Sequence, residues 1–223
     1  MTAFLRNNGL SLVILTIFLA CTVGQVWAGA LQFNEERKQH GLGPLAMPDY
    51  LSSGHFWEAT AENWESEFLQ MAAYVLFTAF LFQKGSAESK KPDETEPVDR
   101  DPRKATGERR KNAPWPVHRG GLVLALYEHS LSIAFLLLFL LSFWIHAAGG
   151  ARAHNLEQAI HGEPPVRLLE YVGTSQFWFE SFQNWQSEFL SLVAMIVLSI
   201  YLRQRGSPES KPVDAPHGQT GSE

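Results

Sequence analysis

The chain has 223 residues, 45% hydrophobic and 18% charged, with a formal net charge of −5. That mildly acidic balance leaves no electrostatic footprint for a nucleic-acid partner, and a single cysteine, Cys21, excludes an intrachain disulfide. The mean hydropathy of −0.11 has the value of a soluble protein, but the average conceals four apolar blocks separated by polar segments.

The first block, Leu10–Ala30, is 21 residues without a charge. At about 1.5 Å per residue it crosses a hydrocarbon core of about 30 Å. Arg6 ahead of it and Ala28-Gly29-Ala30 at its end resemble a secretory signal with a cleavage site. The same pattern recurs in mid-chain at Leu131–Ala151, where no signal peptide can lie, so the block is expected to remain as a span. The loop that follows carries N-x-E-x-x-x-H-G as Asn34, Glu36, His40 and Gly41, repeated as Asn155, Glu157, His161 and Gly162. Asn is a favoured helix N-cap and Gly a favoured residue just past a helix end, so the phrase predicts a short capped helix. Glu and His four apart could instead share a metal, which makes Glu36, His40, Glu157 and His161 weak metal candidates. No metal or other cofactor is expected.

The second block, Leu69–Phe82, has 14 residues and the fourth, Leu190–Leu202, has 13. Each is too short to cross alone and becomes a full span if its helix starts near Phe56 or Phe177. The third block, Leu131–Ala148, is 18 residues and more apolar still. The spans are placed at about 10–30, 62–83, 131–148 and 183–203. Residues 85–119, rich in Pro, Lys, Arg, Asp and Glu, form a linker expected to be disordered, as is the tail over 206–223.

An offset of 121 aligns residues 10–93 with 131–214 without a gap, with 30 identities in 84 positions. The match includes NWESEFL at Asn63–Leu69 against NWQSEFL at Asn184–Leu190, and GSAESK at Gly85–Lys90 against GSPESK at Gly206–Lys211. The predicted fold is therefore an all-α membrane protein of four transmembrane helices, built as two tandem helical hairpins of the same orientation. These hairpin repeats occupy 1–84 and 120–205. Two spans per hairpin return the chain to its starting side, which predicts a pseudo-twofold axis along the membrane normal. Of 18 Lys and Arg, 14 fall on the N-terminus, linker and tail and 4 on the loops at 31–55 and 149–176. The positive-inside rule puts the termini and linker in the cytoplasm. The basic clusters Arg103-Lys104 and Arg109–Lys111 are expected to be solvated and to fix orientation, with contact to anionic lipid as the alternative.

The segments SGHFWEATAENWESEFLQMAAYVLFTAFLFQKGSAESK and QFWFESFQNWQSEFLSLVAMIVLSIYLRQRGSPESKPVD resemble an uncharacterised family of small bacterial membrane proteins, a domain of unknown function. The resemblance implies four spans in the bacterial inner, cytoplasmic membrane. It implies no activity and no functional residue.

Asn63 and Glu67 are four apart on one helix, as are Asn184 and Glu188. If those faces meet at the axis, the four residues form a polar site that could share a proton or hold a cation. The simpler reading sets each Glu at a helix N-terminus, with Trp57, Trp64, Trp178 and Trp185 as interfacial anchors. No nucleophile motif, Gly-rich phosphate loop or Cys-rich metal motif is present. The expected role is a non-enzymatic membrane or envelope module whose partners are the lipid bilayer and a protein or a second copy of the chain. A small proton or cation transporter or channel through Glu67 and Glu188 is the alternative.

Overall fold

In a computed structural model, residues 3–221 are described, and no strand occurs among them. Four long helices dominate: α1 (Ala3–Gln39), α3 (Gly54–Thr78), α7 (Ser130–His161) and α9 (Ser175–Tyr201). Short helices α2 (Met47–Leu51) and α8 (Leu168–Val172) sit in the two loops. The linker carries α4 (Gly107–Lys111), α5 (Trp115–Arg119) and α6 (Gly121–Glu128). α1 and α7, at 37 and 32 residues, are long and apolar enough to cross a membrane. α3 and α9 begin at Gly54 and Ser175, two residues ahead of the starts expected from Phe56 and Phe177.

Contacts divide the chain into two compact units. One holds the chain up to Glu62 together with Phe143–Trp178; the other holds Asn63–Ser142 and the chain from Phe179 onward.

In the first unit, the N-capped two-turn helix expected at Asn34 is absent. α1 runs unbroken through Asn34 to Gln39, and α7 runs through Asn155 to His161. Once a helix is propagating, another residue adds a hydrogen bond at little cost, so no new start is needed. The asparagines serve the returning chain instead. Asn34 Oδ1 accepts from the Leu45 amide at 2.7 Å while its Nδ2 donates to the Leu45 carbonyl at 3.1 Å. Asn155 grips Val166 in the same way, at 2.7 and 2.9 Å. Gly41 and Gly162 take φ 72° and 73° just past the helix ends. There the Leu42 amide donates to the Arg37 carbonyl and the Glu163 amide to Gln158, which satisfies carbonyls the helix end leaves open.

Each gripped loop delivers a tyrosine to a glycine. Tyr50 packs on Gly29 and Tyr171 on Gly150, where an added methyl would collide with the phenol. Tyr50 joins Ala30, Phe33 and Phe56 in one buried cluster, and Tyr171 joins Ala147, Ala151 and Phe177 in another. Tyr171 Oη also donates to Glu58 Oε1 at 3.1 Å. α3 and α7 approach at Gly54 and Gly149, where either glycine's Cβ would press on the other helix's backbone. Small residues let helices close to this distance.

His55 stacks on Phe33 at 4.6 Å between ring centroids. Its buried Nδ1 has no hydrogen-bond partner among the described residues. At the positions 121 residues on, the stacked pair becomes a bonded one, His154 Nδ1 to Gln176 Oε1 at 3.0 Å. Burial lowers His55 below its ordinary value of 6.5, against an opposing pull from the Glu36 carboxylate. Because the folded value lies below the unfolded one, stability is full above pH 6.5 and is lost as the pH falls through the folded value. Thermal unfolding in detergent should show this slope below pH 6.5, and His55→Gln should flatten it.

Candidate functional site

The second unit holds the segments NWESEFL and NWQSEFL. Whether Asn63 and Glu67 face the axis is the condition on which a shared polar site depends. Both are exposed, while Asn184 and Glu188 are half-buried. Asn184 Nδ2 donates to the Glu180 carbonyl of its own helix at 3.2 Å.

The buried carboxylate is a different one. Glu65 is 0% exposed, and its Oε1 accepts a hydrogen bond from Trp185 Nε1 at 3.0 Å. Successive residues advance by about 100° around a helix, so Glu65 and Glu67 point to nearly opposite sides. Ser66 and Gln70 are buried beside it. Gln70 Nε2 donates to the Glu188 carbonyl at 2.9 Å and to Ser191 Oγ at 2.8 Å. Ser191 is the residue 121 positions after Gln70.

Repetition directed attention to Glu67 because Glu188 matches it. The counterpart of Glu65 is Gln186, which is exposed, so the buried acid belongs to one copy alone. A signal was available in Trp185, an indole that needs an acceptor when it is buried, but nothing in the pattern said which acceptor. Trp185 was expected at the interface with Trp57, Trp64 and Trp178. It sits half-buried, edge-on to Phe139 and Phe182. Trp57 and Trp178 keep about a third of their surface exposed and pack edge-on to Phe56 and Phe177. Trp64 is half-buried.

Farther along, Tyr74 donates to Glu88 Oε2 at the end of an apolar cavity of about 290 Å³ lined by Phe77, Phe82, Phe189 and Leu192. Burial raises the Glu88 pKa, the Tyr74 bond lowers it, and the nearby Glu209 carboxyl raises it again; the net direction is upward. Glu209 is the counterpart of Glu88.

The linker and tail, expected from composition to be disordered, contain several hydrogen-bonded contacts. Lys90 Nζ donates to the Ala79 carbonyl at 2.7 Å and pairs with Asp99 at 2.6 Å. Lys211, 1% exposed, donates to the carbonyls of Gly85 at 2.5 Å and of His217 and Gln219 at 2.9 Å each. A buried ammonium is tolerated when carbonyls replace its water, and this one gathers the tail onto the linker. The Gly221 amide donates to the Ser86 carbonyl, and the Gly85 amide to Thr220 Oγ1, both at 2.9 Å.

The weak metal candidates do not assemble. Glu36 accepts from Gln32 at 3.0 Å, His40, Glu157 and His161 are exposed, and no three ligating side chains converge among the described residues.

Trp185→Phe removes one hydrogen-bond donor from the buried Glu65 carboxylate. It should cost about 1–3 kcal/mol, while Gln186→Ala, at an exposed position, should cost less. Thermal unfolding of both variants in detergent measures the difference.

No curated protein and no solved structure matches the chain. A family model matches residues 1–222, and the chain belongs to the family described as a domain of unknown function, DUF6766.

Proposed function

We propose that this is an integral membrane protein of four spans, arranged as two tandem hairpins of one orientation, with both termini and the linker in the cytoplasm. Its role is that of a non-enzymatic module of the inner membrane that binds a partner protein or lipid. The observation that carries the membrane reading is an 18-residue apolar stretch within α1, none of which is buried by the protein. An uncovered apolar surface of that extent needs lipid around it. Duplication is supported by the paired asparagine clamps, the paired tyrosine–glycine contacts and the Gln70–Ser191 bond, which joins two counterparts. A bond between counterparts is what a twofold relation between copies produces. A structural use of the polar interior, where Glu65 bonds Trp185 and Gln70 bonds Ser191 between helices, fits a non-enzymatic module.

Membrane fractions should retain the chain through alkaline carbonate. In a Cys21→Ser background, an impermeant thiol reagent should label a cysteine substituted for Met47 in intact cells and not one substituted for Pro97. Release by carbonate sinks the membrane reading, and the reverse labelling pattern sinks the orientation.

A proton- or cation-conducting role is the second reading, motivated by the recurrence of Glu67 as Glu188 at the same place in each copy. Two carboxylates within each other's field can share a proton or hold a cation. Proteoliposomes should then show an ion flux that Glu67→Gln/Glu188→Gln abolishes and Trp178→Phe preserves. Equal flux from wild type and the double variant removes the pair from any conducting path.

A further inference from the structure

The linker divides sharply by charge. From Pro102 to Arg119 it holds six cations and one carboxylate, Glu108. Three of the cations, Arg109, Arg110 and Lys111, follow one another on α4 and are exposed. Such a stretch could hang free in water, but two features bind it to the start of α7. Arg103 forms a two-pronged pair with Glu128, Nη1 to Oε1 at 2.8 Å and Nη2 to Oε2 at 2.9 Å. Glu128 ends α6, and only His129 separates α6 from α7.

The same stretch presents bare apolar side chains. Trp115 on α5 is 66% exposed. On α6, Leu122 and Leu126 are 76% and 54% exposed. They are four residues apart and share a face, while Leu124 turns inward and is buried. An indole and two leucines left uncovered beside a run of cations form a surface with an apolar floor and a positive rim. That is the pattern of a segment lying in a lipid headgroup layer. A solvated linker explains the cations and leaves the exposed Trp115, Leu122 and Leu126 unexplained.

We infer that α4 to α6 form a platform that seats on the cytoplasmic leaflet, with Trp115, Leu122 and Leu126 in the headgroup layer and Arg109, Arg110 and Lys111 on anionic headgroups. This rests on the membrane reading above. The continuity of α6 with the apolar helix α7 brings the platform to the bilayer, and its charge selects acidic over zwitterionic lipid.

The test uses the full chain in a Cys21→Ser background, with Leu122→Cys carrying an environment-sensitive fluorophore. It is reconstituted in phosphatidylcholine vesicles containing spin-labelled phosphatidylcholine or spin-labelled phosphatidylglycerol. Quenching should favour phosphatidylglycerol. Each cation removed from Arg109, Arg110 and Lys111 by substitution with Gln should weaken that preference by up to about fivefold, and high salt should act likewise. The same readout from Trp115→Cys excludes a local effect of the label. Equal quenching by the two lipids in a carbonate-resistant chain overturns the platform and leaves the membrane reading standing. So does quenching by aqueous iodide with none from either lipid, the result for a linker in water or under a protein partner. A chain that carbonate releases overturns both.

Discussion

An 18-residue apolar stretch within α1 has no residue buried by the protein, and such a surface constrains the surroundings the fold can tolerate. A helix satisfies its backbone internally, so length and hydropathy alone make it acceptable to lipid. In water the same surface would be a severe liability. Between hydrocarbon and protein, burial of further apolar groups gains little, so association of helices must draw on close packing and hydrogen bonds. The structure offers both. Gly54 and Gly149 let α3 and α7 approach to backbone distance, and Gly29 and Gly150 receive the rings of Tyr50 and Tyr171.

The polar interior follows the same logic with a different result in each copy. Glu65 and Trp185, and Gln70 and Ser191, form bonds that reach from one half of the chain to the other. The first of these has no mirror, because Gln186 stands where the second copy would need its acid. The indole is kept in both copies, as half-buried Trp64 and Trp185, while the acid is kept in the first copy alone. The same divergence appears at Phe33 and His55, which stack, against His154 and Gln176, which bond.

Beyond the long helices, two lysines hold the polar segments. Lys90 and Lys211 occupy equivalent places in GSAESK and GSPESK, and each directs its ammonium to backbone carbonyls. A cation on a long apolar stem reaches backbone carbonyls while burying its methylenes: Lys90 reaches Ala79, just past the end of α3, and Lys211 reaches carbonyls of the linker and tail. Around Lys211 this arrangement gathers the tail onto the start of the linker. The linker's basic half, anchored by Arg103 to Glu128, is thereby placed beside an apolar helix rather than left free.

The sequence by itself determined the helical class, the two most apolar helices and the glycines just past the ends of α1 and α7. These depend on periodicity, length and single residues such as Gly41 and Gly162, whose positive φ is a local property. It also determined that α3 and α9 start well before their apolar runs. Tertiary structure alone decided which acid is buried. Glu65 and Glu67 are two residues apart, and the phrase around them reads equally well with either face inward. Only the position of the Trp185 indole, 120 residues away, selects Glu65. Tertiary structure likewise decided that Asn34 grips Leu45 instead of starting a helix, and that Lys211 is caged and not solvated. Each of those outcomes turns on a backbone group brought from elsewhere in the chain, and composition carries no record of where such groups lie.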